Sequence, residues 1–149
     1  MGWVEELHGK LVGLDTAPLI YYIEDRPVYA DMLEPFFQAM IRDKITVVIS
    51  MITLLEVLVL PLKHGNASLV QQYRDTLFST SGLTTCLVTQ EIAEEAARLR
   101  AVHNIRTPDS IHMATAIKAS ASFFLTNDVK LPSSSRLPTL VLDNLIIKS

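Results

Sequence analysis

The sequence predicts an α/β fold: a three-layer α/β/α sandwich with a mainly parallel central sheet. Short apolar, β-branched runs alternate with longer stretches of helical periodicity over the whole length of 149 residues. This alternation is typical of parallel sheets that carry helices on both faces. No internal repeat and no long linker interrupts it. We therefore expect one domain over residues 1–149, with its core at about residues 11–142.

The predicted strands are short apolar runs that end at polar or turn-forming residues. The first begins at Leu11 and leads directly into Asp15. The fourth leads into a turn made by Asn127 and Asp128. The five strands are expected at residues 11–16, 46–50, 84–88, 122–126 and 139–142.

The predicted helices follow from apolar residues at helical spacing and from capping residues at the helix ends. Pro35 implies a kink or two shorter pieces in the first helix, and Pro61 ends the second. In the last helix, Thr107 can be the N-cap, Pro108 suits the first position and Asp109 suits the first turn. The helices are expected at residues 28–43, 51–60, 66–79, 90–102 and 107–120.

Composition excludes several classes of protein. The longest apolar run, residues 51–62, is interrupted by Glu56 and is too short to cross a bilayer. The N-terminus lacks the basic start and apolar stretch of a secretory signal. We therefore expect a cytoplasmic protein that does not contact membranes. The single cysteine, Cys86, forbids an internal disulfide, and we assign it no role.

Four acids stand at the boundaries of the predicted elements. Asp15 and Asp128 follow strands, whereas Glu56 and Asp109 lie near the starts of helices. In an open parallel sheet, the carboxyl ends of the strands and the starts of the returning helices lie at the same edge. All four acids should therefore face one edge of the sheet.

Each acid also has a structural explanation. Asp15 can cap the segment after it, Asp128 can make a turn, and Asp109 can complement the helix dipole. Glu56 can close a capping box with Thr53. If the helix begins directly after the second strand, however, Glu56 is mid-helix among apolar residues, where a charge is costly unless something pairs with it. No lysine or arginine is close to it in the sequence.

Clustered carboxylates repel one another and raise one another's pKa, so an all-acid site requires a cation. Hard oxygen ligands without cysteine or histidine indicate Mg²⁺ or Mn²⁺. Such ions lower the pKa of water and assist in-line displacement at phosphorus, so phosphodiester hydrolysis is the natural chemistry. Thr16, Thr126 and Asn127 are expected to support the acids as neighbouring polar groups.

The net charge of −3 argues only weakly against a nucleic-acid substrate. Of the 16 acids, four would belong to a cation-binding site, which leaves 12 acids against 13 basic residues. Bound cations would neutralise the site itself.

The motifs and their order resemble the PIN-domain nucleases, especially the VapC-like toxins. The resemblance spans about residues 11–142 and depends on four segments: residues 14–16 (LDT), 52–56 (ITLLE), 107–116 (TPDSIHMATA) and 124–128 (FLTND). It implies a PIN fold and a Mg²⁺- or Mn²⁺-dependent endoribonuclease that acts on RNA. It also implies frequent homodimerisation and inhibition by a small antitoxin protein.

The resemblance assigns metal-binding and catalytic roles to Asp15, Glu56 and Asp109. Asp128 is the fourth acid, although some members of the family place an acid three residues further on, where this chain has Leu131. Thr126 is the expected polar helper. His112, one turn after Asp109, is close enough in sequence to approach a metal, but an isolated helix histidine is more often a packing or surface residue. Basic residues that flank the edge in sequence are candidates for phosphate contacts; they are Arg26, Lys63, Arg106 and Lys130.

Two other functions share part of this pattern. A phosphoaspartate enzyme would also place an acid after the first strand, but residues 15–17 lack an Asp-x-Asp pattern and no lysine closes a later strand. The alternative that stays open is a PIN-like module that binds RNA or a partner without cutting. A metal-dependent cleavage assay separates this module from the nuclease.

Overall fold

The computed structural model describes residues 2–148, with side chains for residues 2–146. Its sheet has five strands, and every neighbouring pair is parallel, in the order β3-β2-β1-β4-β5. The strands are β1 (Leu11–Leu14), β2 (Thr46–Ser50), β3 (Leu83–Cys86), β4 (Phe123–Thr126) and β5 (Thr139–Val141). The predicted α/β class with a parallel sheet is confirmed.

Seven α-helices connect and follow these strands within the described residues. They are α1 (Thr16–Ile23), α2 (Tyr29–Ile41), α3 (Ile52–Lys63), α4 (Ala67–Ser79), α5 (Gln90–His103), α6 (Thr107–Lys118) and α7 (Leu142–Lys148). A short 3-10 turn, Glu5–Leu7, precedes β1. Helices α1 and α7 were not predicted, because each is short and follows a strand without an obvious turn in between. None of the described helices combines the length and apolar character needed to span a membrane.

The two prolines do not interrupt their helices as the sequence predicted. Helix α2 is continuous through Pro35, and α3 passes Pro61 to end at Lys63. An interior proline costs a helix about 3 kcal/mol. In α2 this cost is offset by the burial of the apolar side around Phe36 and Phe37. Pro61 lies in the last turn of α3, where its own side chain is buried.

The sheet carries helices on both faces. Alternate residues of each strand point to opposite sides, so both faces present side chains that helices can cover. On one side, Val12 and Leu14 belong to a core that includes Leu33 and Phe36 of α2. On the other side, Phe124 packs with residues of α6. The predicted three-layer sandwich is confirmed.

Helix α6 approaches the central strand closely at Gly13. A Cβ atom added at Gly13 would lie 2.4 Å from the Cβ of Ala116 and 3.2 Å from Cδ1 of Phe124. Any larger side chain in the middle of β1 would therefore push α6 away. This contact sets how closely the last turn of α6 packs on β1.

The strand order places a change of direction between β1 and β4. The chain builds β1, β2 and β3 in sequence towards one edge, and then returns to add β4 on the opposite side of β1. Ligand sites in open α/β sheets lie at such a point, beyond the carboxyl ends of the strands. Asp15 follows β1 and Asp128 follows β4, so both flank this point.

Candidate functional site

Asp15 is held firmly at the carboxyl end of β1. It is the N-cap of α1, and its Oδ1 accepts a hydrogen bond of 2.8 Å from the backbone N–H of Thr16. Its Oδ2 accepts a hydrogen bond of 2.7 Å from the hydroxyl of Thr126. Both carboxylate oxygens therefore have donors, although the side chain is buried. Asp15 therefore caps α1 as expected, and it also contacts a second strand, β4, through Thr126.

The environment of Asp15 disfavours its negative charge. Burial raises the pKa of Asp15, and the neighbouring Asp109 carboxylate raises it further. The interaction with the nearby His112 imidazole and the hydrogen bonds from Thr126 and Thr16 lower the pKa of Asp15, but they do not cancel the effect of burial. A cation beside Asp15 would remove this penalty.

Glu56 does not close a capping box. Its Oε1 accepts a hydrogen bond of 2.8 Å from the Thr16 hydroxyl and lies 2.6 Å from Nε2 of His112. The Thr53 hydroxyl contacts that of Thr16 instead, at 3.2 Å. Burial acts to raise the pKa of Glu56, but the hydrogen bonds from His112 and Thr16 outweigh it and hold the pKa below its ordinary value.

The start of α6 differs by one residue from the prediction. Arg106, not Thr107, is the N-cap, and no side chain caps the helix. Asp109 lies in the first turn as expected, but its carboxylate accepts two hydrogen bonds from Arg106, at 3.0 Å from Nε and 3.3 Å from Nη2. The Asp109 side chain is buried, whereas that of Arg106 is 76% exposed.

The Arg106 guanidinium brings a positive charge to the acidic edge. Its hydrogen bonds and ion pair with Asp109 raise the pKa of Arg106, and the charges of Glu56 and Asp128 raise it further. One positive group therefore interacts with three of the four acids. The sequence alone indicates Arg106 only as a candidate phosphate contact. The Arg-x-x-Asp spacing across a helix start is the signal that could have found the pair.

Asp128 forms a turn and is linked to Asp15 through Thr126. Its backbone N–H donates to the Thr126 hydroxyl at 3.1 Å, and its Oδ1 accepts from the backbone N–H of Lys130 at 2.9 Å. Leu131 is buried in the core beside α6. Asp128 is thus the acid that β4 contributes at this edge.

Asn127 is not brought to the acids. Its Oδ1 accepts a hydrogen bond of 2.9 Å from the backbone N–H of Asp143, at the start of α7. The amide oxygen of Asn127 therefore binds the start of α7 and not the four acids. The cause is α7, a helix that the sequence did not predict and whose first turn uses this acceptor.

The four acids share one edge, but they do not form a finished metal cage. Asp15 and Asp109 interact electrostatically, and Thr16 and Thr126 connect Asp15 to Glu56 and Asp128. Within residues 2–148, no three acidic, histidine or cysteine side chains are arranged to hold one ion.

The chemistry of the edge fits a hard divalent cation. All four candidate donors are carboxylates, the type of ligand that Mg²⁺ and Mn²⁺ prefer. The Arg106 guanidinium already pairs with one of them, Asp109. The only cysteine, Cys86, ends β3, and burial raises the pKa of its thiol, which disfavours a nucleophilic thiolate.

Comparison with known proteins gives one family. The family model described as the PIN domain matches residues 12–136. Among curated protein sequences, none matches this chain.

Several solved structures share the fold. VapBC2 from Rickettsia felis, solved bound to a DNA fragment from its promoter, superposes with a TM-score of 0.65 at 22% identity, covering 88% of this chain and 98% of that chain. A toxin–antitoxin complex from Klebsiella pneumoniae gives a TM-score of 0.63 at 25% identity, covering 87% and 95%. VapBC-5 from Mycobacterium tuberculosis gives a TM-score of 0.55 at 22% identity, covering 87% and 98%.

Proposed function

Since this chain belongs to the PIN-domain family, whose members are generally nucleases that use divalent metal ions, we propose that it is an endoribonuclease. Its substrate is RNA, its cofactor is Mg²⁺ or Mn²⁺, and its biological role is that of the toxin in a VapBC-type toxin–antitoxin pair. The observation that carries the proposal is the acidic edge. There, Thr126 and Thr16 connect the buried Asp15 to Asp128 and Glu56, and Arg106 pairs with the buried Asp109.

The residues that would hold the ion are Asp15, Glu56, Asp109 and Asp128. When bound, the ion supplies charge neutralisation and lowers the pKa of the attacking water. The chain itself holds the carboxylates in place: Thr126 and the backbone of Thr16 bind Asp15, and the hydroxyl of Thr16 binds Glu56. Nucleic-acid phosphates would meet the positive charge of Arg106 at the same edge.

The products of cleavage test the reaction. Because water is the nucleophile in this proposal, we expect RNA fragments with a 5′-phosphate and a 3′-hydroxyl, formed with Mg²⁺ or Mn²⁺ and abolished by EDTA. End-group analysis of a cleaved RNA oligonucleotide measures this. Undiminished cleavage in EDTA, or products that end in a 2′,3′-cyclic phosphate, would overturn the mechanism. Tight RNA binding without cleavage at any metal concentration would favour the non-catalytic module instead.

An antitoxin partner is part of the proposal. The similar structures include toxin–antitoxin complexes, and an acidic edge suits a protein inhibitor that brings a basic side chain to it. Co-expression with the product of any small adjacent gene, followed by co-purification and loss of RNA cleavage, tests the pairing.

We also expect a homodimer, for which α3 offers a surface. Leu55, Val59 and Leu62 lie at helical spacing on α3 and are 61%, 54% and 59% exposed. An exposed apolar stripe of this kind is typical of an interface. Glu56 lies on the same helix, so such an interface would be close to the acidic edge.

A further inference from the structure

The imidazole of His112 is buried between three elements that form the acidic edge. It lies on α6 one turn after Asp109, and its side chain is only 1% exposed. Its Nε2 is 2.6 Å from Oε1 of Glu56 and 3.2 Å from the hydroxyl oxygen of Thr16. His112 thus joins α6 to α3 and to the start of α1 at one point.

The chemistry of these groups gives the direction of the contacts. An ionised carboxylate only accepts hydrogen bonds, so Nε2 of His112 donates to Glu56. The Thr16 hydroxyl donates to the same oxygen, Oε1, at 2.8 Å. No side chain in the described part of the chain donates to the second oxygen, Oε2. Both side-chain donors therefore hold Glu56 by the same oxygen, Oε1.

The second ring nitrogen argues against a role in packing alone. Within residues 2–148, Nδ1 of His112 is buried and has no hydrogen-bond partner. A buried polar atom without a partner lowers stability, and an apolar side chain of similar size would avoid that cost. The hydrogen bond to Glu56 therefore explains the presence of His112 better than packing does.

We propose that His112 is a positioning residue that, together with Thr16, holds Glu56 by Oε1 and so leaves Oε2 to a divalent cation at the acidic edge. This inference rests on the proposed function, because it requires a cation there. The glutamate side chain has three rotatable bonds, and a hydrogen bond that restricts them pre-organises the ligand. Partners of this kind typically change metal affinity by about 10–100-fold.

A pair of polar variants tests the inference without RNA. In His112→Gln the amide nitrogen can take the place of Nε2, whereas the shorter side chain of His112→Asn cannot reach Glu56. We expect His112→Asn to bind Mn²⁺ at least about 10-fold more weakly than the parent, and His112→Gln to stay within about threefold. Mn²⁺ titration followed by electron paramagnetic resonance measures the affinity, and thermal melting in EDTA shows that each variant is folded. His103→Asn, on the exposed end of α5, is the matched control.

A double-mutant cycle separates positioning from a structural effect. In a Glu56→Gln background, His112→Asn should cause no further loss of Mn²⁺ affinity, because the group that it positions has gone. Additive losses, or parent-like affinity in folded His112→Asn, would overturn the role of His112. If His112→Asn does not fold, weak Mn²⁺ binding by folded His112→Gln overturns it equally. Failure of the parent itself to bind Mn²⁺ would overturn the proposed function, and the inference with it.

Discussion

At the scale of single residues, the pair of Arg106 and Asp109 makes a definite prediction about Asp109→Asn. The substitution removes one of several repelling carboxylates, and it also removes an ion pair whose arginine is mostly exposed, which contributes at most about 1 kcal/mol. We expect the melting temperature in EDTA to stay unchanged or rise slightly, while RNA cleavage falls by orders of magnitude.

Asp75→Asn is the matched control for this experiment. Asp75 is an exposed acid on α4 that accepts a hydrogen bond of 2.9 Å from Gln71. Its substitution should leave cleavage unaltered. If Asp109→Asn is less stable than the parent but fully active, Asp109 serves the helix and not the metal site.

The raised pKa of Asp15 predicts how stability depends on pH. Because burial lifts the pKa of Asp15 above its ordinary value of 3.8, the folded protein holds this proton more tightly than the unfolded chain. Stability is therefore lost as the pH rises from that ordinary value through the folded-state pKa. Asp15→Asn does not titrate, so in EDTA its free energy of unfolding should exceed that of the parent by an amount that grows over this range.

Chemical denaturation of both proteins at several pH values measures this difference. Mn²⁺ should reverse it, since the ion stabilises the ionised parent and not the variant. A difference that is the same around pH 3 and around pH 8 would mean that Asp15 carries no buried-charge penalty.

At the scale of elements, the contact between β1 and α6 depends on the absence of a side chain at Gly13. Gly13→Ala places a Cβ 2.4 Å from the Cβ of Ala116, so α6 must shift. We expect a loss of about 1–3 kcal/mol in the free energy of unfolding, as for other overpacked cores. Urea denaturation measures it.

The double variant Gly13→Ala with Ala116→Gly identifies the cause. Ala116→Gly alone should cost about 1 kcal/mol through helix propensity, yet it should recover part of the stability that Gly13→Ala loses. Strictly additive losses would show that the close approach of α6 is not the reason for the glycine.

At the scale of the whole molecule, the apolar stripe on α3 predicts the effect of Val59→Glu. The parent should sediment as a dimer at micromolar concentration. A charge in the centre of a buried interface is costly, so Val59→Glu should sediment as a monomer. Val102→Glu, at an exposed apolar position on α5, is the control and should leave the dimer intact. A monomeric parent, or a dimeric Val59→Glu, would exclude the α3 surface.

The sequence by itself determined the class of fold and the edge at which the acids lie. Alternating periodicities identify strands and helices because each element buries one face, and this information is local. The acids Asp15, Glu56, Asp109 and Asp128 could be assigned to one edge because parallel strands all end there. The same local signals gave the bounds of α4 and β2 to within a residue.

The tertiary structure alone decided which groups the acids contact. Glu56 meets His112 across 56 positions of sequence, and Thr126 meets Asp15 across 111, distances at which local patterns carry no information. Packing also decided that α3 and α2 continue through their prolines, because buried apolar surface offsets a lost backbone hydrogen bond. Asn127 was assigned to the acids from its position after a strand, but the start of α7 uses its amide oxygen. The physical reason is the same in each case: a polar group takes the partner that the completed fold brings within hydrogen-bond distance.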